Sequence, residues 1–266
     1  MLMPEGELPE DGELRLGRVV LYGRRAYTKG LWGEGRLVAW VTDGRVPDAG
    51  RIWQELSDLA AETGLLPVLS ALGAEGFAYH YDVAEVAGLD AGEILAWRWE
   101  NKTAPDGDPD ADAWIAGLHQ PFTRQFPGLA PPVGEQLTVP ETRDALDTVP
   151  PQFVCLAAVS RPADFLTEVG WFTTEAWEPP LHLSAVLRSW EDRFGARLLQ
   201  FGPRAKIRLL VGRPPRTEDA ALAVAAELWS FGDRTWVTHS SREQVESVAE
   251  IASLIVDQPI WGFWWD

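Results

Sequence analysis

Residues 180–211 read PLHLSAVLRSWEDRFGARLLQFGPRAKIRLLV. In the first half Leu183, Val186, Leu187, Trp190 and Phe194 recur at three- and four-residue intervals, the spacing of one apolar stripe along a helix. Pro180 suits a first helical turn and Gly195 a stop. The period then changes to two. Ala196 to Phe201 and Lys206 to Val211 are strand-like runs joined at Gly202-Pro203, the pattern of a β-hairpin. A helix that feeds an antiparallel pair favours a mixed sheet in an α+β fold over the doubly wound nucleotide-binding arrangement.

The neighbouring segments extend this reading. Upstream, Phe153 to Val159 is an apolar strand, and Pro162 opens a short helix that stops at Gly170. Downstream, Thr217 caps a helix from Glu218 to Phe231, with Glu218 and Asp219 at the positive end of its dipole. Thr235 to Thr238 is a short strand, and Ser240 with Glu243 forms a capping box for a helix running to about Ile255. In the terminal strand, Pro259 to Asp266, alternation sets Trp261, Phe263 and Trp265 on one face and Ile260 and Trp264 on the other. A strand apolar on both faces belongs inside a sheet. The C-terminal order is therefore β-α-α-β-β-α-β-α-β.

The N-terminal part carries strands at Gly17–Tyr22, Arg24–Lys29 and Arg36–Thr42, with Gly23 between the first two. Gly30, Gly33 and Gly35 read as a turn. Asp48 reads as the N-cap of a helix over Ala49–Glu62 that Gly64 ends, followed by a strand over Leu65–Ser70 in which Pro67 suggests an edge. Further on come a strand over Phe77–Val83, a helix over Ala91–Glu100, an acidic loop over Asn101–Asp112 and a short helix over Ala113–His119. Pro121 to Pro140 is the candidate linker. The expected organisation is an N-terminal α+β region, 1–135, and a C-terminal α+β domain, 136–266. No internal repeat is present.

The charge excludes some functions. Forty acidic residues against 23 Lys and Arg give a net charge of −17, which opposes nucleic acid and anionic membrane and suits a basic protein partner. The single cysteine, Cys155, cannot form an internal disulfide, which fits a reducing cytoplasmic location. The first 13 residues lack the basic and apolar regions of a secretory signal.

Catalytic motifs are missing. No phosphate-binding loop, nucleophile elbow or zinc-protease motif occurs. His80 and Asp82 would share a strand face, a weak pairing without a third ligand. His119, His182 and His239 sit at element ends, so no metal and no cofactor is expected. Arg188 is spaced to pair with Glu191 or Asp192 on one helix. The composition stands out in its 14 tryptophans, which read chiefly as core and otherwise as a docking or stacking surface.

Leu183–Leu198, Arg213–Thr217 and the terminal Trp-Gly-Phe-Trp-Trp-Asp together resemble the bacterial family called domain of unknown function 4253. Ala39–Asp43, Pro47–Gly50, Thr63–Pro67 and Phe126–Ala130 resemble elements of its longer members, so the likeness runs from about Leu31 to Asp266. Where members carry Cys-Pro-Asp after the helix ending at Phe231, this chain has Gly232-Asp233-Arg234. The resemblance implies a fold and no activity. The expected function is a non-catalytic protein-binding module, with an immunity-like protein against a basic partner fitting the profile. The alternative is a hydrolase or transferase using carboxylates in a Trp-lined cleft, and a structural or assembly component is a third reading. Candidate binding residues are Arg188, Trp190, Glu191, Arg193, Arg213, Trp264, Trp265 and Asp266.

Overall fold

The computed structural model describes the chain except residues 1–7, 29–34, 76, 78–80, 172–178, 203–204, 233, 237–244 and 266. Among the described residues, nine strands form one sheet: β1 (Asp11–Leu16), β2 (Val19–Tyr27), β3 (Leu37–Thr42), β4 (Leu66–Ser70), β5 (Phe153–Ala157), β6 (Ala196–Gly202), β7 (Lys206–Val211), β8 (Arg234–Trp236) and β9 (Ile260–Trp264). Their spatial order is β1-β2-β3-β5-β4-β6-β7-β9-β8. Only β4 and β6 run parallel, through Leu69 opposite Gln200 and Ser70 opposite Phe201; the other neighbours are antiparallel. This is the mixed α+β sheet that the sequence predicts. The helices are α1 (Ala49–Asp58), α2 (Ala60–Thr63), α3 (Ala91–Lys102), α4 (Pro109–Leu118), α5 (Val139–Asp147), α6 (Phe165–Glu168), α7 (Pro180–Phe194), α8 (Glu218–Phe231) and α9 (Val248–Ile255).

Alternation along the strands separates two cores. Val68, Cys155, Leu198, Leu209, Trp261, Phe263 and Trp265 point to the face covered by α3, α6, α7, α8 and α9. Trp40, Leu69, Val154, Leu156, Leu199, Leu210 and Ile260 point to the face covered by α1 and α5. β4 lies between β5 and β6, so the sheet is continuous across position 135. The proline-rich segment after α4 also packs in: Phe122 and Phe126 lie against the first core, and the Leu137 N–H donates to the Gly212 carbonyl.

The C-terminal periodicity translates directly. α7 ends at Gly195 with φ 62°, a left-handed stop. β9 is interior, and Trp261, Phe263 and Trp265 share the larger core. Cys155 is buried, and burial pushes its thiol far up, which leaves it protonated and inert at neutral pH.

Elsewhere the structure corrects the sequence reading. The first hairpin turns at Gly17-Arg18, and Gly23 sits inside β2. A Cβ on Gly23 would lie 2.2 Å from the Val41 carbonyl oxygen of β3, so close backbone approach, not a turn, requires glycine there. Asp48 adopts φ 52° and makes no side-chain cap bond; its carboxylate reaches Arg51 instead. The predicted helix over Ala49–Glu62 divides at Leu59. Pro67 lies in an interior strand, on the stretch that β6 does not reach. Of the strand expected over Phe77–Val83, residues 78–80 lie outside the described residues; Phe77 makes an isolated bridge to Trp171, and Asp82 caps a 3₁₀ turn over Val83–Gly88. The acidic stretch expected as loop is partly helix, since Asp108 caps α4 and Pro109 opens it. α9 begins at Val248 with a capping box from Ser247 and Glu250, whereas Ser240 and Glu243 fall outside the described residues. So do His80, His239, Gly30 and Gly33.

Candidate functional site

Most of the candidate residues converge on α7, and the geometry turns inward. Trp190 is fully buried, and its Nε1–H donates to Glu227 Oε2 of α8 at 2.8 Å. Arg193 grips the same carboxylate with both forks, Nη1 to Oε1 and Nη2 to Oε2, each at 2.6 Å. The Ala130 N–H adds a fourth donor to Oε1 at 2.6 Å. Glu227 is thus a fully buried anion whose oxygens meet four donors, an arrangement that fixes α7, α8 and the proline-rich segment together. Sequence reasoning missed Glu227 because it sits in an otherwise apolar helix face, Val224-Ala225-Ala226-Glu227-Leu228. A lone acid in such a run was the available signal.

The expected pair of Arg188 with Glu191 or Asp192 does not form. Arg188 Nε instead donates to Asp164 Oδ1 at 2.6 Å, where Asp164 is completely buried. Arg161 takes the two acids of α7, at 3.4 Å from Glu191 and 2.6 Å from Asp192. Burial raises the Glu191 carboxyl above its usual range, with Arg161 and the Ala163 N–H opposing. Arg213 donates to the Asp192 carbonyl at 2.9 Å beside the same helix end. Arg161, Arg188, Glu191, Asp192 and Arg213 therefore form a partly exposed ionic fringe on α7, next to the buried node.

At the C-terminus, Trp265 is buried and its Nε1–H donates to the Phe231 carbonyl at 3.1 Å. Trp264 faces the other side of the sheet, half-buried, with the Lys206 ammonium 4.9 Å from its ring. Asp266 lies outside the described residues. Trp190 stacks on Phe263 at 5.4 Å and meets Trp261 edge-on at 6.1 Å, while Phe231 touches Trp190, Phe263 and Trp265. Each such pair is worth about 0.5–1.5 kcal/mol beyond its area. The indoles of Trp190, Trp261 and Trp265 are internal packing.

Among the described residues, two tryptophans behave differently. Trp97 of α3 is 62% exposed and Trp114 of α4 is 59% exposed. They lie in an acid-rich stretch: Asp90, Glu93, Glu100, Asp106, Asp108, Asp110 and Asp112 all fall between residues 90 and 114. The stretch has two cations, and both turn inward. Arg98 donates to the Ser230 carbonyl, and Lys102 to the Trp229 and Gly232 carbonyls at the C-terminal end of α8. Acidic loop residues were visible in the sequence. The outward direction of Trp97, two residues from the buried Leu95 and from the buried Trp99, was not.

The architecture defines a Trp-rich α+β protein with helices on both faces of a mixed sheet. Residues 153–266 match the model of the family described as "Domain of unknown function (DUF4253)", which bears out the resemblance over that span. No curated protein and no solved structure matches the chain. Among the described residues, no group of three or more His, Cys, Asp or Glu is placed to hold a metal ion, and no helix is long and apolar enough to cross a membrane.

Proposed function

We propose that this protein is a non-catalytic cytoplasmic binding module that docks a basic protein, in the manner of an immunity-like protein, through the α3–α4 surface. The observation that carries the reading is the sorting of side chains there: Trp97 and Trp114 outward, carboxylates outward, Arg98 and Lys102 inward. Exposed tryptophan supplies contact area at small conformational cost, and surrounding acids steer and select a cationic partner. The net charge of −17 extends the same attraction over a longer range. The cytoplasmic location rests on the single, buried Cys155.

The test is capture on the immobilised full chain from its host, in parallel with a Trp97→Ala/Trp114→Ala variant and an Asp106→Lys/Asp110→Lys variant. A basic protein retained stoichiometrically by the unmodified chain, lost from both variants and released by salt, is the expected result. Retention that both variants leave unchanged, or no retained protein at all, refutes the proposal.

A further inference from the structure

The opposite face of the sheet holds a cleft of about 450 Å³ between α1 and α5, within the size range of small-molecule sites. Its apolar lining comes from Leu137, Val139 and Leu146. Gly50 closes α1 onto α5, since a Cβ there would lie 2.2 Å from the Leu146 carbonyl oxygen. Arg197 of β6 enters from the sheet, its guanidinium stacked 4.7 Å from the Trp53 ring.

The charges in this cleft are unequally partnered. Two of its three acids are engaged, Glu55 with Arg51 at 3.0 Å and Asp58 by Gln54 Nε2 at 2.7 Å, while the third, Asp147, is exposed. Among the described residues, Arg197 and Arg143 hydrogen-bond no carboxylate or carbonyl, and the buried Gln54 Oε1 receives no donor. Burial already works against the charged form of Arg197, with Asp58 and Glu191 favouring that form through space. A half-buried guanidinium held over an indole, with its donors unspent, is arranged to receive an anion.

We infer that the α1–α5 cleft binds a small molecule carrying a carboxylate or phosphate on an apolar body, with the anion on Arg197 and Arg143 and the body against Leu137, Val139 and Leu146. The site lies on the other side of the sheet from α3 and α4, so the inference stands independently of the protein-docking reading.

Calorimetric titration of the full chain with hexanoate, hexyl phosphate, hexylamine and inorganic phosphate tests it. One of the two hexyl anions is expected to bind at one site, at least tenfold tighter than inorganic phosphate and than hexylamine, and the preferred anion identifies the headgroup. Arg197→Met keeps an apolar stem over Trp53 and is expected to weaken that anion at least tenfold. Arg143→Gln, at an exposed position, is expected to weaken it about threefold and supplies the test if the Arg197 variant misfolds. Failure of both hexyl anions to bind at millimolar concentration, equal binding of hexylamine, or affinity unchanged in both variants overturns the inference.

Discussion

Replacing Glu227 by Gln changes one atom of a buried side chain, and the structure sets how much that should cost. The carboxylate accepts from Ala130 N and Arg193 Nη1 on Oε1, and from Trp190 Nε1 and Arg193 Nη2 on Oε2. Glutamine keeps one oxygen and places an NH₂ donor at the other position, so two of the four contacts become donor facing donor in either orientation. The Arg193 charge, 14% exposed, also loses its counter-ion. Removing one partner of a buried ion pair costs about 3–5 kcal/mol. For a chain somewhat longer than 250 residues, each kcal/mol moves the melting temperature by roughly 2–4 °C, so Glu227→Gln is expected to lower Tm by about 6–20 °C. Urea unfolding of Glu227→Gln, Arg193→Met and the double variant completes a cycle. The double variant should cost less than the two single costs combined, by about 0.5–3 kcal/mol, because no unpaired charge remains. A Glu227→Gln loss under about 1 kcal/mol, or strict additivity, would refute the assignment of this node as the joint between α7, α8 and the proline-rich segment.

Glu191 gives a pH test. Its carboxyl is raised in the folded state, chiefly by burial, so the native chain holds that proton to higher pH than the unfolded chain does. Its contribution is therefore fully present below the ordinary carboxylate value of about 4.3 and is lost as pH rises through the folded value. Glu191→Gln should gain stability relative to the parent between pH 4 and 7, and parallel Tm curves would contradict this. Gly50→Ala should destabilise by about 1–3 kcal/mol in urea, because its Cβ would press on backbone rather than a movable side chain. Ser247→Ala removes the side-chain acceptor for the Glu250 N–H and should cost about 1 kcal/mol, read as a Tm lowered by roughly 2–4 °C.

The C-terminal half was legible because its periodicities are local. Leu183, Val186, Leu187, Trp190 and Phe194 are buried, α7 ends at Gly195, and β9 lies inside the sheet with its aromatic face inward. The N-terminal half was less so, because long-range geometry decides it. Gly23 resembles a turn residue until β3 is laid across it, and Pro67 resembles an edge residue until β5 and β6 flank β4. α5 was overlooked because proline-rich sequence precedes it, although Thr138 and Glu141 form a capping box and Pro140 sits in its first turn. The candidate site was read one level too coarsely. Arg188, Trp190, Glu191 and Arg193 belong together on α7, but their partners Asp164, Arg161 and Glu227 come from 24 to 37 positions away in the chain. Helical spacing says nothing about such partners.

The placement of the indoles bears on what kind of protein this is. A hydrolase or transferase working in a Trp-lined cleft needs carboxylates and exposed rings around one hollow. Here the large aromatic cluster of Trp190, Trp261, Phe263 and Trp265 is closed, and its one buried carboxylate, Glu227, is saturated by four donors. The raised carboxylate, Glu191, faces Arg161 on the α7 fringe rather than an exposed ring. The α1–α5 cleft is lined by arginines, acids and aliphatic groups, with Trp53 beneath Arg197. Among the described residues, the exposed tryptophans lie in an acid-rich stretch, on α3 and α4, with the local cations drawn inward to α8. The exposed rings and the hollow are thus kept apart, the arrangement expected of the proposed docking surface.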